Sequence, residues 1–266
     1  MSGTVPSEPN PAKPPSHSDP ASFHDAGEHL SMVLHSLSTA HRYNRWIVDL
    51  AAPYLGPQVL EVGAGDGNVA SLLVHEHRRV VVAEPYEPFA AKLRDRFGEH
   101  GGVDVVDADV DGLAAALDRE GLRPEPGFDS ALMINVLEHI EDDVAALERL
   151  RDAVRPGGHV VVFVPAFPML YGEFDRRVGH FRRYRLPDLR QRVARAGLDV
   201  ADSHYVNCPG WFAWLLVARL GRRVPTTRGN VDAYDRLVVP WLAPLEARFR
   251  PPFGQSIFLS ARRPAD

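Results

Sequence analysis

The stretch VLEVGAGDGNVA, residues 59–70, places Gly63, Gly65 and Gly67 directly after an apolar run. Glycine adopts positive φ readily and has no side chain, so such a turn can bring the backbone close to a ligand. The apolar run predicts a buried strand, and residues 68–77 predict a helix whose first N–H groups have no partner within the helix. A strand, a bare turn and a helix in this order favour a ligand-binding turn over a tight turn without a ligand.

Short apolar runs alternate with amphipathic stretches along most of the remaining chain. Strands are predicted at 59–62, 79–84, 103–109, 128–135 and 159–165, and again near 198–206 and 256–261. Helices are predicted between the earlier strands, at 68–77, 88–97, 112–120 and 142–154. Apolar strands alternating with helices predict a parallel sheet that is covered on both faces. Such a sheet binds ligands at the carboxyl ends of its strands, which is where the glycine turn lies.

An acidic residue, Glu84, ends the second predicted strand, 17 residues beyond Gly67. A carboxylate at this place can accept hydrogen bonds from both ribose hydroxyls of an adenosine-containing ligand. Dinucleotide-binding enzymes space their glycines as G-x-G-x-x-G, whereas this chain has G-x-G-x-G. The second strand therefore strengthens the prediction of a nucleoside site without favouring a dinucleotide.

Several segments together resemble, in order, the motifs of class I S-adenosylmethionine-dependent methyltransferases. They are VLEVGAGDGNVA (59–70), VVVAEPYE (80–87), FDSALMINVLEHIEDD (128–143) and LRDAVRPGGHVVVFVP (150–165). The likeness runs from about Tyr43 to Leu198, and GHFRRYRLPDL (179–189) resembles a bacterial branch that acts mainly on small molecules. It implies a Rossmann-like α/β fold: a mainly parallel seven-stranded sheet with helices on both faces, an N-terminal helical cap and a helical insertion before the last strand.

The resemblance also implies S-adenosyl-L-methionine as the cofactor and suggests its contacts. Glu61 would lie near the methionine ammonium, Glu84 would bind the ribose hydroxyls, and Asn135 would offer a backbone carbonyl to the ammonium. Asp109 would accept from the adenine amino group, with Asp107 as the competing choice. The other implied cofactor positions are Tyr43, Gly63, Ala64, Gly65, Val110, and Pro85 or Tyr86.

Candidate catalytic groups follow the fourth and fifth predicted strands. An amine acceptor needs only a free lone pair, whereas a hydroxyl or a carbon acid usually needs a general base. His180 is favoured as that base because an imidazole titrates near neutral pH, and His139 is the alternative, although either could be a structural histidine. Asp175 and Tyr184 complete the predicted catalytic set. The predicted substrate contacts are Tyr171, Trp211, Arg182 and Arg183, the arginines as ligands of a carboxylate or phosphate.

This chain lacks the residues that define some subclasses of methyltransferase. The fourth strand continues as Asn-Val-Leu-Glu (135–138), which argues against transfer to adenine N6, and Cys208 precedes its proline, which argues against cytosine C5 chemistry. A single cysteine excludes an intramolecular disulfide and a cysteine-based metal cluster. Because no Asp-Asp-Asn grouping supplies oxygen ligands for magnesium, we expect no metal.

The domain organisation is predicted from composition. Residues 1–22 are rich in proline and serine and predict a disordered tail, residues 23–57 predict the helical cap, and 58–266 the cofactor-binding domain. An insertion at about 209–250 contains two apolar runs that are shorter than the ~20 residues that span a bilayer. They predict helices that roof the acceptor pocket, form a homodimer contact or lie on a membrane surface, and they favour an apolar or lipid-linked acceptor.

The predicted function is methyl transfer from S-adenosyl-L-methionine to a small molecule, through an oxygen, nitrogen or carbon atom. A formal charge of −5 argues against a nucleic-acid partner, and the start of the sequence lacks the apolar region of a secretory signal, which predicts a cytoplasmic protein. Two alternatives remain: a protein of this fold that binds the cofactor without transfer, as a rearrangement catalyst or partner subunit, and an RNA methyltransferase.

Overall fold

The structure is a computed structural model that describes residues 40–76, 79–98, 102–220 and 228–265. The predicted disordered tail and the first part of the predicted helical cap lie outside the described residues. The second part of the cap is helix α1, His41–Ala51, which buries Trp46, Ile47, Val48 and Ala51. Their spacing of one, three and four places them on one stripe of the helix, which packs against the sheet domain.

A seven-stranded sheet forms the centre of the described structure. Its strands are β1 (Gln58–Val62), β2 (Arg79–Ala83), β3 (Val103–Val106), β4 (Phe128–Ile134), β5 (Val154–Pro165), β6 (Asp199–Val206) and β7 (Ser256–Arg262). Their order across the sheet is β3, β2, β1, β4, β5, β7, β6. Strand β7 is antiparallel to β5 and β6, and the other neighbouring pairs are parallel. The prediction of a mainly parallel, seven-stranded Rossmann-like sheet is confirmed.

Helices cover both faces of the sheet, which explains why the central strands are apolar without alternation. Leu60 and Val62 of β1 pack into one hydrophobic core, and Val59 packs into the core on the opposite face. The helices after α1 are α2 (Asn68–His75), α3 (Glu87–Phe97), α4 (Leu113–Arg119), α5 (Asp143–Ala153), α6 (Glu173–Arg177), α7 (Leu186–Arg195), α8 (Cys208–Leu220), α9 (Arg228–Leu237) and α10 (Val239–Arg248).

Two strand boundaries differ from the predicted ones by more than one residue. Strand β5 begins at Val154 instead of 159, because Val154 already pairs with Phe128 before a shift in register. Strand β3 ends at Val106 instead of 109, and the side chain of Asp109 then accepts a hydrogen bond from the N–H of Gly112 at 2.8 Å. This bond belongs to the turn into α4, so Asp107 and Asp109 follow the strand and do not share a strand face.

The predicted helical insertion before the last strand is confirmed, and it consists of α8, α9 and α10 within the described residues. Glu246 of α10 is buried, and its two carboxylate oxygens accept from the N–H groups of Asn207 (2.8 Å) and Cys208 (2.9 Å) at the start of α8. Asp235 of α9 accepts from the N–H of Tyr43 at 2.8 Å. The insertion is thereby fastened both to the end of β6 and to the first turn of α1.

Candidate functional site

Unusual backbone conformations mark the edge of the sheet at which β4, β5 and β6 end. Asn135, Phe167 and Asn207 have φ values of 54°, 60° and 67°, and each lies one or two residues beyond its strand. Non-glycine residues with positive φ are uncommon, and they persist where the surrounding structure holds them, often at functional sites. Asn135 is held by its N–H, which donates to the carbonyl of Phe163 at 2.7 Å. This edge of the sheet is therefore the candidate position of the functional site.

The glycine turn after β1 lies at the same edge, and its glycines are required by space as well as by conformation. Gly63 and Gly67 both have φ of 73°, and Gly65 has φ of 53°. A Cβ atom on Gly63 would lie 2.5 Å from Cγ2 of Val136, which follows β4. A side chain at position 63 would collide with Val136 and push the end of β1 away from the end of β4. Glycine at this position therefore allows the two strand ends to lie close together.

Glu84 joins the glycine turn to the end of β2. It is 5% exposed, and its Oε2 accepts from the N–H of Gly65 at 2.9 Å while Oε1 accepts from the N–H of Tyr86 at 3.1 Å. Burial raises the pKa of Glu84, the two backbone donors lower it, and the charge of Asp107 raises it. Each carboxylate oxygen can accept a second hydrogen bond, so the group can still bind two hydroxyls.

Glu61 lies behind the turn on β1 and is 3% exposed. Its Oε2 is buried and has no hydrogen-bond partner among the described residues. Burial, followed by the negative charge of Glu84, raises the pKa of Glu61 to about 8. A buried carboxyl oxygen without a donor fits a cationic ligand, because an ammonium would supply both the hydrogen bond and the missing charge.

The other implied cofactor residues are distributed around this turn. Asp107, the competing choice, interacts electrostatically with Glu84, whereas Asp109 is hydrogen-bonded to Gly112. Tyr43 packs edge-on against Phe163 near the end of β5, with ring centroids 6.3 Å apart. Gly63 and Ala64 are half-buried, Val110 is buried in the core, Pro85 and Asn135 are exposed, and Tyr86 is half-buried.

The predicted acceptor side contains a buried polar cluster. His180 Nδ1 lies 2.8 Å from Oδ1 of Asp175, and the same oxygen accepts from Nε of Arg183 at 2.8 Å. Although burial opposes it, the hydrogen bond from His180 and the charge of Arg183 hold the pKa of Asp175 below its usual value. With an ionised Asp175 as acceptor, Nδ1 of His180 is the donor in this hydrogen bond. The guanidinium of Arg183 also lies over the ring of Trp214, 5.2 Å from its centroid.

Glu138 is the member of this cluster that the sequence analysis missed. Its side chain is fully buried, and neither carboxylate oxygen has a hydrogen-bond partner among the described residues. Burial raises its pKa to about 7, and the charge of His180 opposes that rise. Oε1 lies 3.9 Å from Nε2 of His180, and the ring of His139 lies edge-on to that of His180 at 4.6 Å between centroids. The sequence signal for Glu138 was its position beside His139, shortly after a buried strand.

Tyr184 and Arg182 lie elsewhere, around the buried carboxylate of Asp143. The hydroxyl of Tyr184 donates to Asp143 at 3.0 Å and to the carbonyl of Leu137 at 3.2 Å. Arg182 lies 2.7 Å from the same carboxylate, and Arg192 also binds it. The ring of Tyr184 is 2% exposed, and burial followed by the charge of Asp143 raises its pKa far above the usual value. Their contacts indicate a structural role, so we leave both outside the proposed site.

Aromatic side chains line the region between the polar cluster and the insertion. Phe167 stacks on Tyr205 with centroids 4.9 Å apart, and the half-buried Trp211 packs edge-on against Phe167 at 6.3 Å. The hydroxyl of Tyr171 donates to the carbonyl of His180 at 2.7 Å, so it positions the loop that carries His180. Trp211 thus lies where a predicted apolar lid would be, whereas Tyr171 contacts main chain.

An exposed apolar stripe runs from the end of α9 along α10 to the residue that follows it. It consists of Leu237, Trp241, Leu245 and Phe249, four residues apart, with exposures between 56% and 79%. The opposite side of α10 is buried through Val239, Leu242 and Glu246. Within the described ranges, none of the helices has both the length and the apolarity that crossing a membrane requires.

The fold and these contacts define a Rossmann-like α/β protein with a glycine turn and two buried acids at the carboxyl edge of its sheet. Residues 33–203, more than half of the chain, match the methyltransferase domain family. The chain belongs to this family, as a class I S-adenosylmethionine-dependent methyltransferase, which confirms the predicted resemblance.

The individual relatives match only part of this chain. An uncharacterized methyltransferase of Mycobacterium bovis is 34% identical over 125 residues, which cover 47% of this chain and 58% of that protein. A ubiquinone biosynthesis O-methyltransferase of Cereibacter sphaeroides is 28% identical over 191 residues, 64% of this chain and 73% of that protein.

A solved structure of similar fold is the Burkholderia thailandensis 1,6-didemethyltoxoflavin-N1-methyltransferase with bound 1,6-didemethyltoxoflavin and S-adenosylhomocysteine. It has a TM-score of 0.52 and 20% identity, and the match covers 98% of this chain and 94% of that one. At this identity the likeness concerns the fold alone.

Proposed function

We propose that this protein binds S-adenosyl-L-methionine across the glycine turn and transfers its methyl group to a small-molecule acceptor. The observation that supports this most is the pair of buried acids at the turn. Glu61 presents an oxygen without a donor, which suits the methionine ammonium, and Glu84 keeps lone pairs for the ribose hydroxyls. The bare backbone at Gly63 lets the turn lie directly against Val136 at the β4 tip, where a Cβ atom would clash.

The bound cofactor would supply an activated methyl group on a sulfonium, so the chain's own residues mainly align the acceptor and remove its proton. Asp175 accepts from Nδ1 of His180, so in the neutral imidazole the lone pair is on Nε2. Such a nitrogen can take a proton from a hydroxyl acceptor, whereas an amine acceptor would not need it. We therefore favour an oxygen acceptor over a nitrogen or carbon one, with His180 as the proton acceptor.

The acceptor we propose is apolar apart from its reacting group. Phe167, Tyr205 and Trp211 form an aromatic wall at the start of α8. The rings offer apolar contact, and Nε1 of Trp211 is buried without a hydrogen-bond partner among the described residues. Arg183, the remaining predicted anion binder, is already paired with Asp175.

We further propose that the apolar stripe of α10 contacts a membrane surface, which would give access to lipid-soluble acceptors. The stripe carries a tryptophan, and the charged side chains exposed beside it are Arg236 and Arg248. The acids of α9 and α10 nearest to them, Asp235 and Glu246, are buried. Apolar and aromatic residues flanked by arginines are typical of helices that lie on anionic bilayers.

Formation of S-adenosylhomocysteine tests the transfer directly. The purified chain is incubated with S-adenosyl-L-methionine and phenols, aliphatic alcohols or amines that carry apolar groups, and the product is quantified by mass spectrometry. We expect turnover with at least one hydroxyl class. Replacing a general base typically costs 10²- to 10⁴-fold, so the rate with His180→Gln should fall by at least about 100-fold.

The matched control is His204→Gln, since His204 is also an imidazole beside a carboxylate, 3.7 Å from Asp202, but lies on β6 away from the cluster. It should keep at least half of the wild-type rate. Cofactor binding without product from any acceptor class would favour the alternative of a protein that binds the cofactor without transfer. Product formation only with RNA would favour the RNA methyltransferase.

A further inference from the structure

We propose that Glu138, His139 and His180 form a binding site for a divalent metal ion on the acceptor side of the proposed cofactor site. The sequence analysis expected no metal because the oxygen ligands of a magnesium site are missing. The ligands in question here are two imidazoles and one carboxylate from different segments, Leu137–His139 and the loop after α6. This inference deepens the proposed function, but the binding itself requires neither cofactor nor acceptor.

The environment of Glu138 favours a bound cation. Its carboxylate is 0% exposed, and both oxygens lack hydrogen-bond partners among the described residues. A buried carboxylate without partners is strongly unfavourable, so it is either protonated or balanced by a cation. Arg183 is near enough to act on it electrostatically, but its Nε is bound to Asp175 and no hydrogen bond to Glu138 is present. Among the described residues, therefore, no cation forms a hydrogen bond with Glu138, and Nε2 of His180 lies 3.9 Å from its Oε1.

His180 is oriented as a metal ligand would be. Asp175 accepts from Nδ1 at 2.8 Å, so in the neutral imidazole the lone pair is on Nε2, the ring nitrogen that lies near Glu138. Histidine ligands of metals usually donate their other N–H to a carboxylate in this way. The 3.9 Å between Nε2 and Oε1 is too long for a hydrogen bond. Two ligands that each lie about 2.1 Å from one ion are roughly 3 to 4 Å apart, so the separation fits a shared cation.

His139 lies close enough to Glu138 and His180 to be a third ligand. One potential ligand atom each from Glu138, His139 and His180 can be chosen so that all lie within 4.8 Å of one another. Three protein ligands leave a coordination position for a substrate oxygen, as in catalytic metal sites. Two imidazoles with one carboxylate suit Zn²⁺, Mn²⁺ or Fe²⁺ better than Mg²⁺ or Ca²⁺.

An ion at this place would bind the acceptor hydroxyl and lower its pKa, so that the proton is released to solvent. His180 would then be a ligand through Nε2 instead of the proton acceptor. The loss of activity in His180→Gln is expected under both roles, so the experiment below measures the metal directly.

The test is a titration of the full-length protein with Zn²⁺ and with Mn²⁺ by calorimetry, after treatment with a chelator and in the absence of cofactor. We expect one ion per chain for at least one of the two metals. Glu138→Gln and His139→Ala should each weaken binding at least tenfold, and Asp175→Asn should weaken it by about 10- to 100-fold through the orientation of His180. Circular dichroism verifies that each variant is folded.

His204→Gln is again the matched control, because the pair of His204 and Asp202 would bind metal adventitiously if any such pair did. It should leave the affinity unchanged. The proposal is overturned if neither metal binds with a dissociation constant below about 100 μM, or if binding persists undiminished in Glu138→Gln. Titration of the same sample with S-adenosylhomocysteine separates the metal site from the proposed function. Cofactor binding without metal binding would overturn the metal site and leave the proposed function standing.

Discussion

The buried acid Glu61 predicts that cofactor binding depends on pH. Its pKa of about 8 means that the carboxyl is largely protonated at pH 7 in the free protein. Binding of the methionine ammonium favours the ionised form, so a proton must leave before or during binding. Each pKa unit corresponds to about 1.4 kcal/mol, so ionisation costs about 3 kcal/mol at pH 6 and roughly half as much at pH 7.

The affinity for S-adenosylhomocysteine, which carries the same ammonium, should therefore rise by up to tenfold per unit between pH 6 and pH 7.5. Over that range a ligand α-amino group, with an ordinary pKa of roughly 7.7 to 8.0, stays mainly protonated. The gain from a charge-assisted hydrogen bond to Glu61 is about 1.5–3 kcal/mol. Glu61→Gln should consequently bind nearly as well as the wild type at pH 6, about tenfold more weakly at pH 7.5, and with little dependence on pH.

Calorimetry measures both quantities. Repeating the titration at pH 6.5 in buffers of different ionisation enthalpy should reveal the release of close to one proton per ligand from the wild type and none from Glu61→Gln. The free protein supplies a second readout. Because the folded state holds the Glu61 proton that the unfolded state loses, this group's contribution to stability declines as pH rises from about 4.5 to about 8. Parallel pH profiles for the two proteins would refute this reasoning.

Three further predictions concern the turn, the cap and the insertion. Gly63→Ala should lose S-adenosylhomocysteine binding and more stability than Gly121→Ala, because Gly121 has a similar φ of 65° but nothing within 4 Å of its Cβ position. Strain alone costs about 1–2 kcal/mol, so equal destabilisation in urea would contradict the contact with the β4 tip. Asp235→Ala should lower the free energy of unfolding by about 1–2 kcal/mol, since it removes the acceptor for the first N–H groups of α1, while Asp235→Asn should lose less. Trp241→Ser should reduce cosedimentation with phosphatidylglycerol vesicles at least fivefold. Val200→Ser, which removes an exposed apolar side chain from β6, should not, and an equal loss in both would argue against the stripe.

The sequence was sufficient for the order of strands and helices because both physical signals are local. Runs such as 80–83 and 131–133 are buried on both faces, so they are apolar throughout, and glycine marks the turn that follows β1. The start of β5 could not be found in this way, because Arg155 to Gly158 resemble a turn, and only pairing with β4 shows that the strand has begun.

The polar residues of the site were harder to predict than the fold. Glu61 and Glu84 follow from the family resemblance, and His180 with Asp175 from their place after the fifth strand. Sequence does not show which polar side chains are buried together, however. Glu138 therefore passed unnoticed beside His139, although its burial against His180 makes it central.

Tyr184 shows that a residue can look catalytic in the sequence and yet have its polar group bound within the fold. It lies in the same segment as His180 and has a hydroxyl suited to catalysis. In the fold that hydroxyl is committed to Asp143, more than forty residues away in the chain. Partners so distant in sequence depend on how α5 packs against the loop before α7, which the local pattern does not contain.

The central claim is that a sulfonium nucleoside binds at the glycine turn through the acid that ends β2. Calorimetric titration with S-adenosylhomocysteine at pH 7.5 tests it most directly, with wild type, Glu84→Ala and, as a control at an exposed carboxylate between β3 and α4, Asp111→Ala. We predict one bound ligand per chain in the wild type and in Asp111→Ala, and at least a tenfold loss in Glu84→Ala, which gives up two charge-assisted hydrogen bonds. No binding to folded wild-type protein, or equal affinity in all three proteins, would contradict the account.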